Sequence, residues 1–187
     1  MVLISIKGGF GKYAIINEMF THKIPEKMSS EEAAPLQCAG ATVFSPFLKY
    51  GILPIHRVGI IGIGGLGHLA LQVARAWGCH VTAFSTRQEK AEEAKSFGAH
   101  EVLVTKVPEG QSFVPQNENE KFDFILCTVS GQLPWDDYIS CLNTKGTLIP
   151  LGVDFGRFNA PYAPLLTREN KVGGSLVATR LVFITII

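Results

Sequence analysis

The stretch Val58-Gly59-Ile60-Ile61-Gly62-Ile63-Gly64-Gly65-Leu66-Gly67 decides the fold. Residues 58–63 form a β-branched run interrupted only by glycine, the pattern of a parallel strand buried on both faces. Leu66, Leu69, Ala70, Val73, Ala74 and Trp77 then recur at helical spacing, and Gly78 stands where a left-handed C-cap belongs. The pattern repeats downstream. Residues 80–84 read as a strand, 88–97 as a helix stopped by Gly98, and 101–104 as a third strand. Strand and helix in alternation predict an α/β fold: a Rossmann-type, doubly wound parallel sheet.

Farther along, residues 108–121 carry two prolines and a glycine and read as a loop. Residues 122–127 predict a strand, 135–142 a short helix, 146–151 another strand and 171–177 a sixth. Upstream the rhythm differs. Residues 13–16 look strand-like, Ser29 or Ser30 starts a helix with Glu31 and Glu32 in its first turn, Gly40 is expected to break it, and 42–50 form a second helix. The change near residues 54–57 divides the chain into a segment 1–54 and a sheet domain 55–187.

Composition agrees with a folded domain. The 187 residues are 47% hydrophobic and 18% charged, with 17 basic against 16 acidic side chains and a net charge of +1. A chain of this size buries roughly 70% of its unfolded surface without disulfides or metals. The charge balance argues against disorder, a polybasic nucleic-acid surface and an acidic tail. The 19 glycines are in excess of the usual share. Cys38, Cys79, Cys127 and Cys141 stand far apart without C-x-x-C spacing, the simplest reading being a reduced, cytoplasmic chain. The apolar stretches 1–6 and 181–187 are too short for a signal peptide or a membrane span, so no membrane partner is expected.

Gly62-Ile63-Gly64-Gly65-Leu66-Gly67 is a G-x-G-x-x-G motif between strand and helix, the context that makes it specific for a dinucleotide. Gly62 permits the turn, Gly64 lets a pyrophosphate approach, and Gly67 lets the helix pack close; free N–H groups and the helix dipole hold the phosphates. Such sites place an acid about 20 positions on, to hold the ribose hydroxyls. Ser85 stands there instead, followed by Thr86, Arg87 and Lys90. An uncharged, hydroxyl-lined, basic pocket suits a 2′-phosphate that a carboxylate would repel, so the expected cofactor is NADP(H). A capping box from Thr86 to Glu89 is compatible with that reading.

With those residues, Ala33-Ala34-Pro35-Leu36-Gln37-Cys38-Ala39-Gly40-Ala41-Thr42-Val43, Gly64-Gly65-Leu66-Gly67-His68 and Leu151-Gly152-Val153 together resemble zinc-dependent medium-chain alcohol dehydrogenases, nearest the cinnamyl alcohol dehydrogenase-like branch. The resemblance runs from about Gly8 to Leu176, with Gly8-Gly9-Phe10 matching a family segment. It implies an oxidoreductase that interconverts a primary alcohol and an aldehyde by hydride transfer, with zinc polarising the oxygen. It also implies a homodimer joined through the Rossmann domain.

Residue by residue, the resemblance makes Cys38 one ligand of the catalytic zinc and places Thr42 near the nicotinamide. Gly64, Gly65 and Leu66 match the pyrophosphate loop. Ser85, Thr86, Arg87 and Lys90 match the 2′-phosphate pocket. Thr128, Val129, Gly152 and Val153 match loops at the nicotinamide end, and Gly174, Ser175 and Leu176 match a last cofactor-contacting strand end. A catalytic zinc needs three protein ligands. The resemblance puts the others far upstream, which makes 1–54 a remnant of a catalytic domain, shortened like the C-terminal return. His100-Glu101 lies remote from the nicotinamide end and His68 reads as a packing or capping residue. Cys79, Cys127 and Cys141 read as buried apolar residues, and Asp136 with Asp137 as helix-start acids. The alternative function is a catalytically incomplete NADP-binding fragment. A zinc-free flavin or quinone reductase shares the glycine motif, but Cys38 in its matching segment counts against it.

Overall fold

A computed structural model describes residues 11–13, 15–108, 110–178 and 182. The segments 1–6 and 8–10, and all of the apolar tail 181–187 except Val182, lie outside the described residues.

Six strands form one parallel sheet: β1 Arg57–Ile61, β2 His80–Ser85, β3 Glu101–Val104, β4 Phe122–Cys127, β5 Leu142–Pro150 and β6 Lys171–Val172. Their spatial order is β3-β2-β1-β4-β5-β6, the doubly wound order. Ile61 pairs with Phe84 on one side and Cys127 on the other, so the chain's direction of travel reverses beside β1. A crevice opens at the carboxyl ends there.

Helices cover both faces. On one face α2 (Ala41–Lys49) and α3 (Gly65–Trp77) bury Val43, Phe47, Ala70, Leu71 and Ala74 against Val58, Ile60, Val81 and Leu126. Ala94 of α4 (Ala91–Ser96) joins the same core. On the other face α5 (Trp135–Ser140) packs Trp135, Tyr138 and Ile139 onto Ile61, Phe84, Ile125 and Leu148. The central strands carry buried apolar residues on both faces because helices cover both. Phe44 and Phe47 meet the Trp77 ring edge-on at 5.6 and 5.8 Å, which fixes α2 to α3.

The fold class read from the sequence is the one observed, with β3 and β4 on the expected residues. Several local expectations give way. Gly40 does not break a helix. It closes a π-helical turn, Leu36–Gly40, in right-handed helical conformation, so α1 (Ser30–Pro35) runs through it into α2. Ser29 caps α1 in a reciprocal box with Glu32. Tyr13, Ile15 and Ile16 join no strand and are exposed. The helix expected over 88–97 is a 3-10 turn, Gln88–Lys90, followed by the shorter α4. Its N-cap is Arg87 and no side chain caps it, so the Thr86–Glu89 box does not form. β5 starts at Leu142, where helix was expected, and β6 stops at Val172. The remaining helix, α6, is Tyr162–Thr167.

Candidate functional site

At the carboxyl end of β1 the chain turns through Gly62, at φ 89°. A Cβ there would overlap the Val129 side chain, and one at Gly67 would overlap the Gly62 carbonyl. Both glycines are therefore demanded by the protein's own packing, which sets the start of α3 directly against the turn. Gly64 and Gly65 differ. A Cβ on either would meet nothing within 4 Å. Gly64 is the N-cap of the 13-residue α3 and no side chain caps that end. The unpaired N–H groups of the first turn and the positive end of the helix dipole thus face open space, an arrangement that suits an anion.

That space continues into a cleft of about 400 Å³, lined by Gly62 and Gly64 on one side and by Ser85, Thr86, Arg87 and Lys90 on the other. None of its lining residues is acidic. Arg87 and Thr86 are exposed at its mouth. The Lys90 ammonium lies 3.1 Å from Glu93, one turn along. Ser85 is buried, and its hydroxyl donates to the Arg87 carbonyl at 2.9 Å and accepts from the Arg87 N–H at 3.1 Å. Ser85 thereby shapes the loop that presents Arg87.

The loops after β4 and β5 meet at the crevice. Thr128 Oγ1 donates to the Ile61 carbonyl at 2.8 Å, and the Leu151 N–H donates to the Cys127 carbonyl at 2.8 Å. Val129 lines the cleft and also an adjoining cavity of about 290 Å³, which Gly152, Trp135 and Phe158 help to enclose. Asp154 bridges the two loops: its carboxylate accepts the Gly131 and Gly156 N–H groups, each at 2.8 Å. Those bonds, the Gly156 one foremost, hold its pKa below the usual aspartate value. Ser130 Oγ adds a bond to the Val153 carbonyl at 2.8 Å.

The expected site residues thus fall into groups. Gly62, Gly64, Ser85, Thr86, Arg87, Lys90 and Val129 share the cleft. Gly65, Leu66 and Gly67 continue from it as the first turn of α3. Gly152 lines the adjoining cavity, and Val153 is exposed beside it. Thr42 is buried on α2 and Ser175 is buried beyond β6, its hydroxyl without a hydrogen-bond partner. Lys49 Nζ and Tyr50 Oη both donate to the Gly174 carbonyl, at 2.7 and 2.8 Å, tying the end of α2 to this strand end. Phe84, Thr105, Leu133 and Tyr138 also line the cleft and were missed from the sequence. Their signal was weak: Tyr138 lies within a stretch that reads only as a short helix, and Phe84 within one that reads only as a strand.

Cys38 is a free, exposed thiol in the π-helical turn. Among the described residues no group of three or more His, Cys, Asp or Glu side chains is placed to hold a metal. His68 Nδ1 donates to the Gly64 carbonyl at 3.2 Å and its ring lies on Phe97. His100 Nδ1 accepts the Val81 N–H at 3.0 Å, and its ring stacks on His80. Burial pushes the thiols of Cys79 and Cys127 up to about 11 and that of Cys141 to about 12. Asp136 and Asp137 lie in the first turn of α5. No described helix is long and apolar enough to cross a membrane.

Residues 65–187 match a family model described as zinc-binding dehydrogenase. Aldehyde reductase AdhA of Synechocystis is 39% identical over 172 residues, 92% of this chain and 50% of its own length. Among solved structures, a cinnamyl alcohol dehydrogenase from Sorghum bicolor superposes with a TM-score of 0.77 at 29% identity, covering 88% of this chain and 46% of the other. Acetophenone reductase from Geotrichum candidum, solved in complex with NAD, gives 0.76 at 30% identity, again over 88% and 46%. The chain spans about half the length of the curated relatives it matches.

Proposed function

The chain belongs to the zinc-binding dehydrogenase family, and we propose on that premise that it forms the NADP(H)-binding part of an oxidoreductase interconverting a primary alcohol and an aldehyde. One observation carries the cofactor reading. Gly64 and Gly65 have no protein neighbour that excludes a side chain, yet they stand at an uncapped helix N-terminus. Their lack of side chains is explained by a pyrophosphate lying on the backbone.

In this reading the first turn of α3 binds the pyrophosphate, and Arg87 and Lys90 hold the 2′-phosphate beside Thr86, with Lys90 exchanging Glu93 for it. Ser85 keeps the loop in shape. Thr128, Val129, Gly152 and Val153 flank the nicotinamide, with Thr42 and the unpaired Ser175 hydroxyl nearby. The nicotinamide supplies or accepts the hydride. Residues 1–54 are the part of the catalytic domain this chain carries and 55–187 the cofactor domain.

The described residues do not fit a catalytic zinc, which needs three protein ligands where Cys38 offers one. No chemical step is therefore assigned to metal. That single ligand favours a second reading, in which these 187 residues bind cofactor without turnover. We further propose a homodimer through the β6 edge, where Val172, Leu176 and Val177 are exposed. Four free thiols suit a reducing cytoplasm.

Calorimetry with NADPH and NADH, paired with metal analysis, tests these readings. NADPH is expected to bind at micromolar concentration and in preference to NADH, with little zinc retained. Equal affinity for the two cofactors overturns the 2′-phosphate pocket, and stoichiometric zinc overturns the second reading.

A further inference from the structure

Ser130 Oγ on the Val153 carbonyl is one tie of the crevice wall, and Asp154, on the loop after β5, is another. Its two carboxylate oxygens accept one N–H from each of two loops, Gly131 after β4 and Gly156 after β5. Val129 lies two residues before Gly131. Its side chain fills the space that a Cβ on Gly62 would need, and its carbonyl fills the space that a Cβ on Gly152 would need. Val129 is thus held from three sides: by the turn of the glycine motif, by the loop after β5, and through Gly131 by Asp154. It also lines the cleft.

We infer that Asp154 is a positioning residue for the nicotinamide end of the cofactor, acting through Val129. This rests on the cofactor reading above. A neutral or shortened side chain loosens the loop after β4, which keeps Ser130 on the Val153 carbonyl and Gln132 on the Arg157 carbonyl, and Val129 then presents a less fixed surface. The adenosine end, built by α3 and the Ser85–Arg87 turn, shares none of these bonds. The two ends should therefore respond separately.

The test compares NADPH with adenosine 2′,5′-bisphosphate, which carries the 2′-phosphate and lacks the nicotinamide. Binding to both is measured for the wild-type chain, Asp154→Ala and Asp154→Asn, with the emission of bound NADPH as the spectroscopic signature. Asp154→Ala should weaken NADPH roughly tenfold and reduce its emission change, while the bisphosphate stays within about twofold. Asp154→Asn keeps one accepting oxygen and should fall between, at roughly threefold. Should the alanine variant not fold, the asparagine variant decides alone. If the wild-type chain binds NADPH and the bisphosphate but the variants weaken both alike, or neither, the positioning role is wrong. If the wild-type chain binds no bisphosphate, the cofactor reading itself has failed.

Discussion

Residues 11–28 and the sheet that follows use the same kinds of apolar side chain to opposite ends. Tyr13 is 93% exposed and Met19 62%, whereas Val58, Ile60, Val81 and Ile125 are at 0%. The sheet buries its apolar residues because its central strands have helices above and below them. The N-terminal stretch mixes its apolar side chains with Lys12, Glu18, Lys23, Glu26 and Lys27 and has no layer to cover them. Between the two lies α2, whose residues precede the break in sequence pattern but whose Val43 and Phe47 are fully part of the sheet's core. Pattern and packing therefore draw the border in different places.

Thiol chemistry should separate the regions most widely. Native chain at neutral pH should lose one thiol to a disulfide reagent quickly, Cys38. Cys79, Cys127 and Cys141 should react on the order of a thousandfold more slowly, because burial keeps them protonated and shielded. Fast reaction of more than one thiol would erase the contrast. Next in size, Phe47→Ala should cost about 3–5 kcal/mol in denaturant unfolding, the loss of a core aromatic. A loss below about 1 kcal/mol would return α2 to the N-terminal stretch.

Within the glycine motif, Gly67→Ala should destabilise by roughly 1–3 kcal/mol, since its Cβ meets the Gly62 carbonyl. Gly65→Ala should leave the melting temperature in place and weaken NADPH instead. If both variants melt alike, the division between packing glycines and binding glycines is lost. Arg87→Asp should weaken NADPH about tenfold with NADH changed far less, as titrations of both cofactors would reveal. Ile15→Ser, which removes an exposed side chain, should move the unfolding midpoint by less than about 0.5 kcal/mol.

The sheet was legible because its signals are local and repeated. A buried β-branched run, a helical period and a glycine stop each lie within one element, and β4 was read to the residue. The π-helical turn was not, because a glycine that costs helix stability in isolation is held there by α3 and by the helix on either side. The early start of β5 was hidden because Leu142 and Asn143 carry no β-branching, and pairing with Phe122 decides their conformation. The glycine motif and the basic turn were read as one group, and the fold does bring Gly62, Gly64, Ser85, Thr86, Arg87 and Lys90 to one cleft. The turn role of Gly62 and the packing role of Gly67 were read from the motif as well, but not the partner: that Val129 occupies the space beside Gly62 depends on a loop far along the chain. The bridging by Asp154 leaves no periodic trace at all.

The two bonds from Lys49 and Tyr50 to the Gly174 carbonyl bear on how the molecule can move. With one end of α2 bolted to the last strand and its aromatic face wedged on Trp77, this helix cannot swing independently of the sheet. The π-helical turn that carries Cys38 also packs on α3, so the run from Leu36 through α2 moves with the sheet as one body.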